Sequence, residues 1–432
     1  MNEFFLHWVW KHRQFDFLKA ETTDGESLSI VYPGVGNPDA GPDFQDAVVE
    51  IGGIRWYGNV EIHVRSSDWF RHRHHYDAKY NTVILHVVYE ADATVRVGDS
   101  EVVPTLEMKG LILPGMVEKY RKLTTGPDIL ACRNYVAGLD KLLLTSQQTR
   151  VLVERLMKRQ TRLNELLNKC SFDWNELIYR TLAISFGCKT NAYGFEFLSQ
   201  SLPYKVVGRH LESSLQLDAL LFGVAGFLND PDGSEYMDRL KYEYEYLQYK
   251  YRLSPISRSN WNLLRLRPQN FPTVRIAQFA SLLHSSGGRL QELVLQADYN
   301  ALRIWLSVVP DDYWRTHYRF GKETSCHGAA LGEQTVHSVI INTIVPVRFF
   351  HGTFMGDERM LEDAVALYEH LPFENNRRTR VYDGSGFPMR HAADSQALME
   401  LLQEYCSKRQ CCRCSVGDRI MRDIRGEVES LS

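Results

Sequence analysis

The sequence predicts an α/β domain over residues 1–125, a mixed sheet flanked by helices, followed by a larger, mostly α-helical domain over residues 126–432. Three observations carry this reading. FQDAVVEI, IRWYGNVEIHV and TVILHVVYE, all in the first quarter of the chain, are short runs rich in β-branched and aromatic residues, bounded by Gly, Pro and polar clusters. In SQQTRVLVERLMKRQTRLNELLNKC the apolar spacing switches to helical, with apolar residues at 152, 156, 163 and 167. Loops containing proline (LSPIS, LRPQNFP, VVPDD, EHLPFENN) then punctuate further helical segments.

Taken in order, Asn2 can cap a first amphipathic helix whose apolar residues are Phe4, Phe5, Trp8 and Val9. Asp24-Gly25 marks a hairpin turn between LKAET and SLSIVY. PGVGNPDAGPD is too rich in Gly and Pro to be regular, and Gly52-Gly53 joins the next two strands. DWFRHRHHYDAKY reads as one polar helix leading into TVILHVVYE. Beyond the long helix, DALLFGVAGFL, YMDRLKYEYEYLQYKYRL, VRIAQFASLL and SQALMELLQEYC read as helices, without a repeat of fixed period.

Hydrophobic residues make up 44% of the chain, charged residues 24%, and the net charge is -3. That excludes a polycationic nucleic-acid binder, so any such contact must come from local patches. The N-terminal MNEFFLHWVWKHRQ lacks a signal-peptide pattern, and HSVIINTIVPVRFF is too short and too interrupted to span a bilayer. The expectation is a soluble, cytoplasmic protein with no membrane association, whose eight cysteines are thiols or metal ligands rather than disulfides.

The chemistry concentrates in GPDFQDAVVEIGGIRWYGNVEIHVRSSDW. Asp43 opens one strand and Glu61 lies on the next, with His63 two residues on and therefore on the same face. A turn at Gly52-Gly53 brings Asp43 to Glu61. Their carboxylates, the Ile62 carbonyl and waters then form an oxygen-rich site for Mg²⁺ or Mn²⁺. A neutral His63 would orient or deprotonate the attacking water, giving activity that rises with pH. Ordinary strand carboxylates are the competing explanation.

His72, His74, His75 and Asp77 follow, with His86 on the next strand. On one helix His72 and His75 share a face, and His75 and Asp77 are the candidates for supporting the site. A solvated polar helix explains the segment equally simply. HRHHYD departs from the His-x-His-x-Asp-His order of one zinc-hydrolase class, since Tyr76 stands at the Asp position.

Near the C-terminus, CSKRQCCRC sets Cys406, Cys411 and Cys414 in the x4, x2 spacing of plant-type [2Fe–2S] proteins, with Cys412 as an extra thiol. Cys132 is the best-placed fourth ligand. Either an Fe–S cluster or Zn²⁺ fits, while Cys170, Cys188 and Cys326 read as small core residues. Arg155, Lys158, Arg159 and Arg162, the tyrosines 242, 244, 246, 249 and 251, and Arg377, Arg378 and Arg380 could track a phosphate backbone. Such stripes are more often solvated faces, and tyrosines on a long helix are more often core.

GPDF, GNVEIHVRSSDW, HHYDAKYNTVILHVV, RPQNFPTVRIAQFA and YCSKRQCCRCSVG together resemble an uncharacterised bacterial family known only as a domain of unknown function. The N-terminal part resembles the PD-(D/E)XK nuclease superfamily, which implies a restriction-endonuclease-like α/β domain. In that resemblance Asp43 matches the first metal carboxylate, Glu61 the second, and His63 the position usually held by lysine. Glu3 matches an acidic residue that some members contribute. The function implied is divalent-metal-dependent hydrolysis of phosphodiester bonds in nucleic acid, DNA favoured over RNA. The alternatives are a catalytically inactive nucleic-acid-binding or scaffold protein that keeps the fold, and a zinc hydrolase with its metal near His72 and His75. No GxxxxGK[ST] loop is present, so ATP-driven unwinding would require a partner such as a helicase.

Overall fold

The computed structural model describes residues 2–37, 39–97, 101–229 and 233–423. Its compact units are residues 1–148, 376–388 and 398–432, and residues 149–375 and 389–397. The first is a mixed sheet flanked by helices, and the second is helical.

In the first unit the order is α1 (Glu3–Lys11), β1 (Leu28–Tyr32), β2 (Val35–Gly36), β3 (Phe44–Ile51), β4 (Ile54–Arg65), α2 (Asp68–Arg71), β5 (Val83–Glu90), β6 (Arg96–Val97), β7 (Glu101–Val102), β8 (Thr105–Glu107), α3 (Met116–Thr125) and α4 (Arg133–Val136). The main sheet runs β1-β3-β4-β5-β8, with β2 also on β3. Its β1–β3 and β3–β4 pairs are antiparallel, and β4–β5 and β5–β8 parallel. β6 and β7 form a separate ribbon.

Asn2 caps α1 as its side chain suggests, its Oδ1 accepting from the Phe5 N–H at 3.1 Å. Phe5, Leu6, Trp8, Val9 and Trp10 are buried, and Phe5 stacks on Tyr120 of α3. Phe4, expected on the buried face, is exposed. Gly52 and Gly53 both adopt positive φ (57° and 80°), which suits a two-residue hairpin, and they set Ile51 opposite Ile54.

The Asp24-Gly25 turn forms and closes a short hairpin, in which the Leu28 N–H donates to the Ala20 carbonyl at 3.0 Å and the Thr22 N–H to the Glu26 carbonyl at 2.9 Å. Residues 17–19 make a 3-10 turn, Glu21 and Ser27 share one bridge, and Thr22 pairs with Leu106. Beyond this hairpin β1 runs antiparallel to β3, with Leu28 and Ile30 opposite Ile51 and Val49.

In the second unit the helix Ser214–Val224 is buried from Leu217 to Val224. Gly223 permits this: a Cβ there would lie 2.1 Å from the Tyr244 ring, so only hydrogen lets the helix Glu235–Tyr251 approach. The tyrosines of that helix divide. Tyr244 is buried, Tyr251 bonds His210, and Tyr242, Tyr246 and Tyr249 are exposed. The arginine stripe of the helix Lys141–Lys169 is used in packing, Arg155 bonding Gln396 at 2.7 Å and Arg159 bonding Asn342 at 3.1 Å. Cys170 is buried as expected, whereas Cys188 and Cys326 are exposed and do not fill a core. Among the described residues, no helix is long and apolar enough to cross a membrane.

Candidate metal centre

Parallel pairing of β4 with β5 requires a crossover, and residues 66–82 supply it. All the histidines of that segment therefore return over the sheet. The single helix expected for DWFRHRHHYDAKY is broken. α2 ends at Arg71, Arg73 turns left-handed at φ +64°, and a 3-10 turn, His74–Tyr76, starts beyond it. A left-handed arginine costs about 1 kcal/mol or more. The turn changes which histidine faces the strands: His74 joins His72, and His75 packs its ring on Phe70 and Tyr76.

Asp43 and Glu61 are locked side by side by reciprocal bonds to backbone. The Asp43 N–H donates to Glu61 Oε2 at 3.1 Å, and the Ile62 N–H donates to Asp43 Oδ2 at 2.9 Å. Glu61 and His63 share the buried face of β4, 4% and 1% exposed. Around Glu61 Oε1 stand His74 Nε2 at 3.3 Å and His63 Nε2 at 3.5 Å. His63 Nε2 lies 3.1 Å from His72 Nδ1, and His63 Nδ1 lies 2.9 Å from His86 Nε2, so His86 fixes the ring from behind. His86 faces Glu61 in the strand register. From α1, His7 places Nε2 3.3 Å from Asp43 Oδ2.

These spacings fit a shared cation. Ligand bonds of about 2.1 Å leave neighbouring ligand atoms about 3.0–3.4 Å apart. His7 Nε2 and His74 Nε2 are buried within that range of a carboxylate oxygen, yet neither has a hydrogen-bond partner among the described residues. His63, His72 and His74 form a group whose ligand nitrogens all lie within 4.8 Å of one another.

At His63, His74 and His86 the electrostatics favour the neutral imidazole. Burial, then the neighbouring His86, His74 and His72, pushes His63 down to about 2. Burial and His74 push His86 down to about 3, and burial lowers His74. Burial raises the Glu61 carboxyl well above the usual carboxylate range, and the charge of Asp43 adds to this. Burial works against charge on His7, but Asp43, with Glu3 and Glu61, raises it overall. Neutral rings offer lone pairs, and a divalent cation would relieve the crowding of Asp43 and Glu61. His72 is exposed, so the site opens to solvent on that side.

Of the residues singled out in the sequence, Asp43, Glu61, Ile62 and His63 come together, although Ile62 meets the site through its N–H. Asp77 is exposed and caps the 3-10 turn Ala78–Thr82, its Oδ1 accepting from the Lys79 N–H at 3.0 Å. Sequence reasoning passed over His7 and named His74 and His86 without giving them a role. His7 sits one helical turn after Glu3, a spacing that could have exposed it. His74 could not be found without the reversal at Arg73. Cys132, Cys406, Cys411 and Cys414 all belong to this same unit.

Searches of curated proteins and of solved structures found no match to the chain. A family model does match, over residues 3–377, a span that holds Asp43, Glu61, all the histidines of the site and Cys132, and ends ahead of Cys406. The chain belongs to the family described as "Protein of unknown function (DUF2851)".

Proposed function

We propose that this protein is a divalent-metal-dependent nuclease, hydrolysing phosphodiester bonds of nucleic acid, DNA in preference to RNA, at the Asp43–Glu61 site. One observation carries the reading: two carboxylates pinned together by backbone N–H groups, beside the imidazoles of His63, His72 and His74, whose nitrogens lie within 4.8 Å of one another. The PD-(D/E)XK likeness of Asp43, Glu61 and His63 supports it. His63 departs from the lysine of that pattern. Its Nε2 faces the same point as His72 and Glu61, so it holds the metal rather than acting as a free base.

A metal here would polarise the phosphoryl oxygen and lower the pKa of a bound water. Mixed nitrogen and oxygen donors suit Mn²⁺ better than Mg²⁺. Asp43 and Glu61 would hold the cation, and His86 keeps His63 in orientation. Arg73 and Lys79, both exposed on the crossover, are the cations that would meet phosphates on this reading. Attack by water forms a new P–O bond and breaks the bridging one. The water's proton leaves to solvent on the His72 side, where the departing oxygen also regains one.

Cleavage of single- and double-stranded DNA and RNA, assayed with Mg²⁺, Mn²⁺, Zn²⁺ or EDTA, tests this. Mn²⁺-dependent cutting that falls at least about 100-fold in Asp43→Ala and Glu61→Ala is expected. Retained nucleic-acid binding without cutting under any metal would sink the nuclease and leave a binding protein. Three imidazoles also suit zinc, so a second reading is a zinc hydrolase. Zinc-supported hydrolysis of small esters, with nucleic acid untouched, would select it.

A further inference from the structure

Four thiols gather in the sheet-bearing unit from two distant stretches of chain. Cys132 is the N-cap of α4. Cys406 ends a π-helical turn (Leu401–Cys406), Cys411 begins a 3-10 turn, and Cys414 caps the helix Ser415–Arg422. Arg409, left-handed at φ +54°, laces the two stretches together. Its guanidinium donates to the carbonyls of Gly126 and Asp128, each at 2.7 Å, and of Ile129 at 3.4 Å.

Two more contacts close the ring. Arg133, next to Cys132, donates to the carbonyls of Val381 at 2.7 Å and Asp383 at 3.1 Å. Tyr382 between them sets its hydroxyl 3.5 Å from Cys406 Sγ. Cys411 Sγ lies 3.6 Å from the Leu123 carbonyl. Gly417 completes the fit, because a Cβ there would lie 2.2 Å from the Cys411 carbonyl oxygen.

Cys414 is buried, and Cys132, Cys406 and Cys411 are half-buried. Burial, then the nearby sulfurs of Cys406, Cys414 and Cys411, pushes the Cys132 thiol far up. Burial raises Cys406 to about 12 against the opposing hydrogen bond from Tyr382, and burial with Cys414 raises Cys411 to about 11.

We propose that Cys132, Cys406, Cys411 and Cys414 hold an iron–sulfur cluster that fastens the C-terminal cysteine segment to the loop ahead of α4. The all-sulfur donor set selects a thiophilic metal. The x4, x2 spacing with a remote fourth cysteine is the cluster pattern. Zinc accepts the same four thiolates, and the bound-metal analysis below separates the two. The Tyr382 hydroxyl, donating to Cys406 Sγ, and the Arg409 charge would stabilise the ligated thiolates. Cys412 lies outside the set, beside Asp418.

The full chain, purified anaerobically, tests this through visible absorption and the iron, acid-labile sulfide and zinc bound per chain. The wild type should be coloured and carry iron with sulfide. Cys132→Ser and Cys406→Ser should lose at least about tenfold of both, while Cys412→Ser keeps them. Bleaching the wild type with chelator and oxidant, then adding ferrous iron and sulfide, should restore the absorption without any substitution. Zinc in place of iron, no bound metal, retention of iron by Cys132→Ser, or failure to reconstitute a chain whose far-UV circular dichroism is native would each overturn the proposal. None of these readouts depends on nuclease activity.

Discussion

At the histidine–carboxylate centre the ligand atoms come from neighbouring strands and one crossover, and His72 leaves one side open to solvent. At the cysteine cluster the thiols come from loops remote in sequence, bound to each other through Arg409 and Arg133, and half-buried or buried throughout. An open site of mixed nitrogen and oxygen donors can admit water and substrate. A closed site of sulfur donors can hold structure. On the two proposals above, chemistry belongs to the first and fastening to the second, although both sit in one compact unit.

The contrast is sharpest at two adjacent histidines. His74→Ala should lower Mn²⁺ affinity and metal-dependent cleavage by about 10- to 100-fold, while His75→Ala leaves both within a few-fold. Isothermal titration with Mn²⁺ separates them. Equal losses in both variants would mean that the Arg73 turn does not select the ligand.

A smaller effect is expected at the closed site. Gly417→Ala should destabilise the protein by about 1–3 kcal/mol, because the added methyl meets the Cys411 carbonyl rather than a flexible side chain. Denaturant titration reads the loss. Bound iron should fall while Mn²⁺ affinity stays near wild type, and a variant that loses Mn²⁺ first would dissolve the distinction between the two sites.

The least effect concerns Asp418, which joins the C-terminal helix to α1. Its carboxylate accepts from Trp8 Nε1 at 2.8 Å, lies 3.1 Å from His12 Nε2 and pairs with Arg422. Burial opposes the charge, but these partners hold the group down to about 2. A depressed folded-state pKa gives stability that is present above the unfolded value of about 3.9 and lost as pH falls through about 2. Asp418→Asn should therefore cost about 1–2 kcal/mol near neutrality and flatten the decline between about pH 4 and pH 2. Equal stability of variant and wild type across pH 2 to 7 would show that the link contributes nothing.

Much of the first unit was legible locally. Asn2 caps α1, the glycine pair at 52 and 53 turns the hairpin, and the side-chain period of two puts Glu61 and His63 on one face. These features are set within a few residues. The missed parts depended on competition between distant segments. LKAET pairs with SLSIVY only over Ala20–Thr22, and β3 supplies the partner for the rest of β1. Phe4 reads as apolar core until the neighbours of α1 are known. The tyrosines of Glu235–Tyr251 share a composition but divide by which face Gly223 lets close.

By itself the sequence determined the mixed sheet followed by helices, the pairing of Asp43 with Glu61 and His63, and the spacing of Cys406, Cys411 and Cys414. Each is a matter of backbone period, turn chemistry or residue type over short range. Tertiary structure alone decided that His74 and His86 join the carboxylates, that His75 and Asp77 do not, and that residues 398–432 belong to the same unit as the sheet. The reason is physical. A left-handed residue at Arg73 and a parallel strand register turn particular side chains inward, and neither leaves a pattern in spacing that a period of two or 3.6 can reveal.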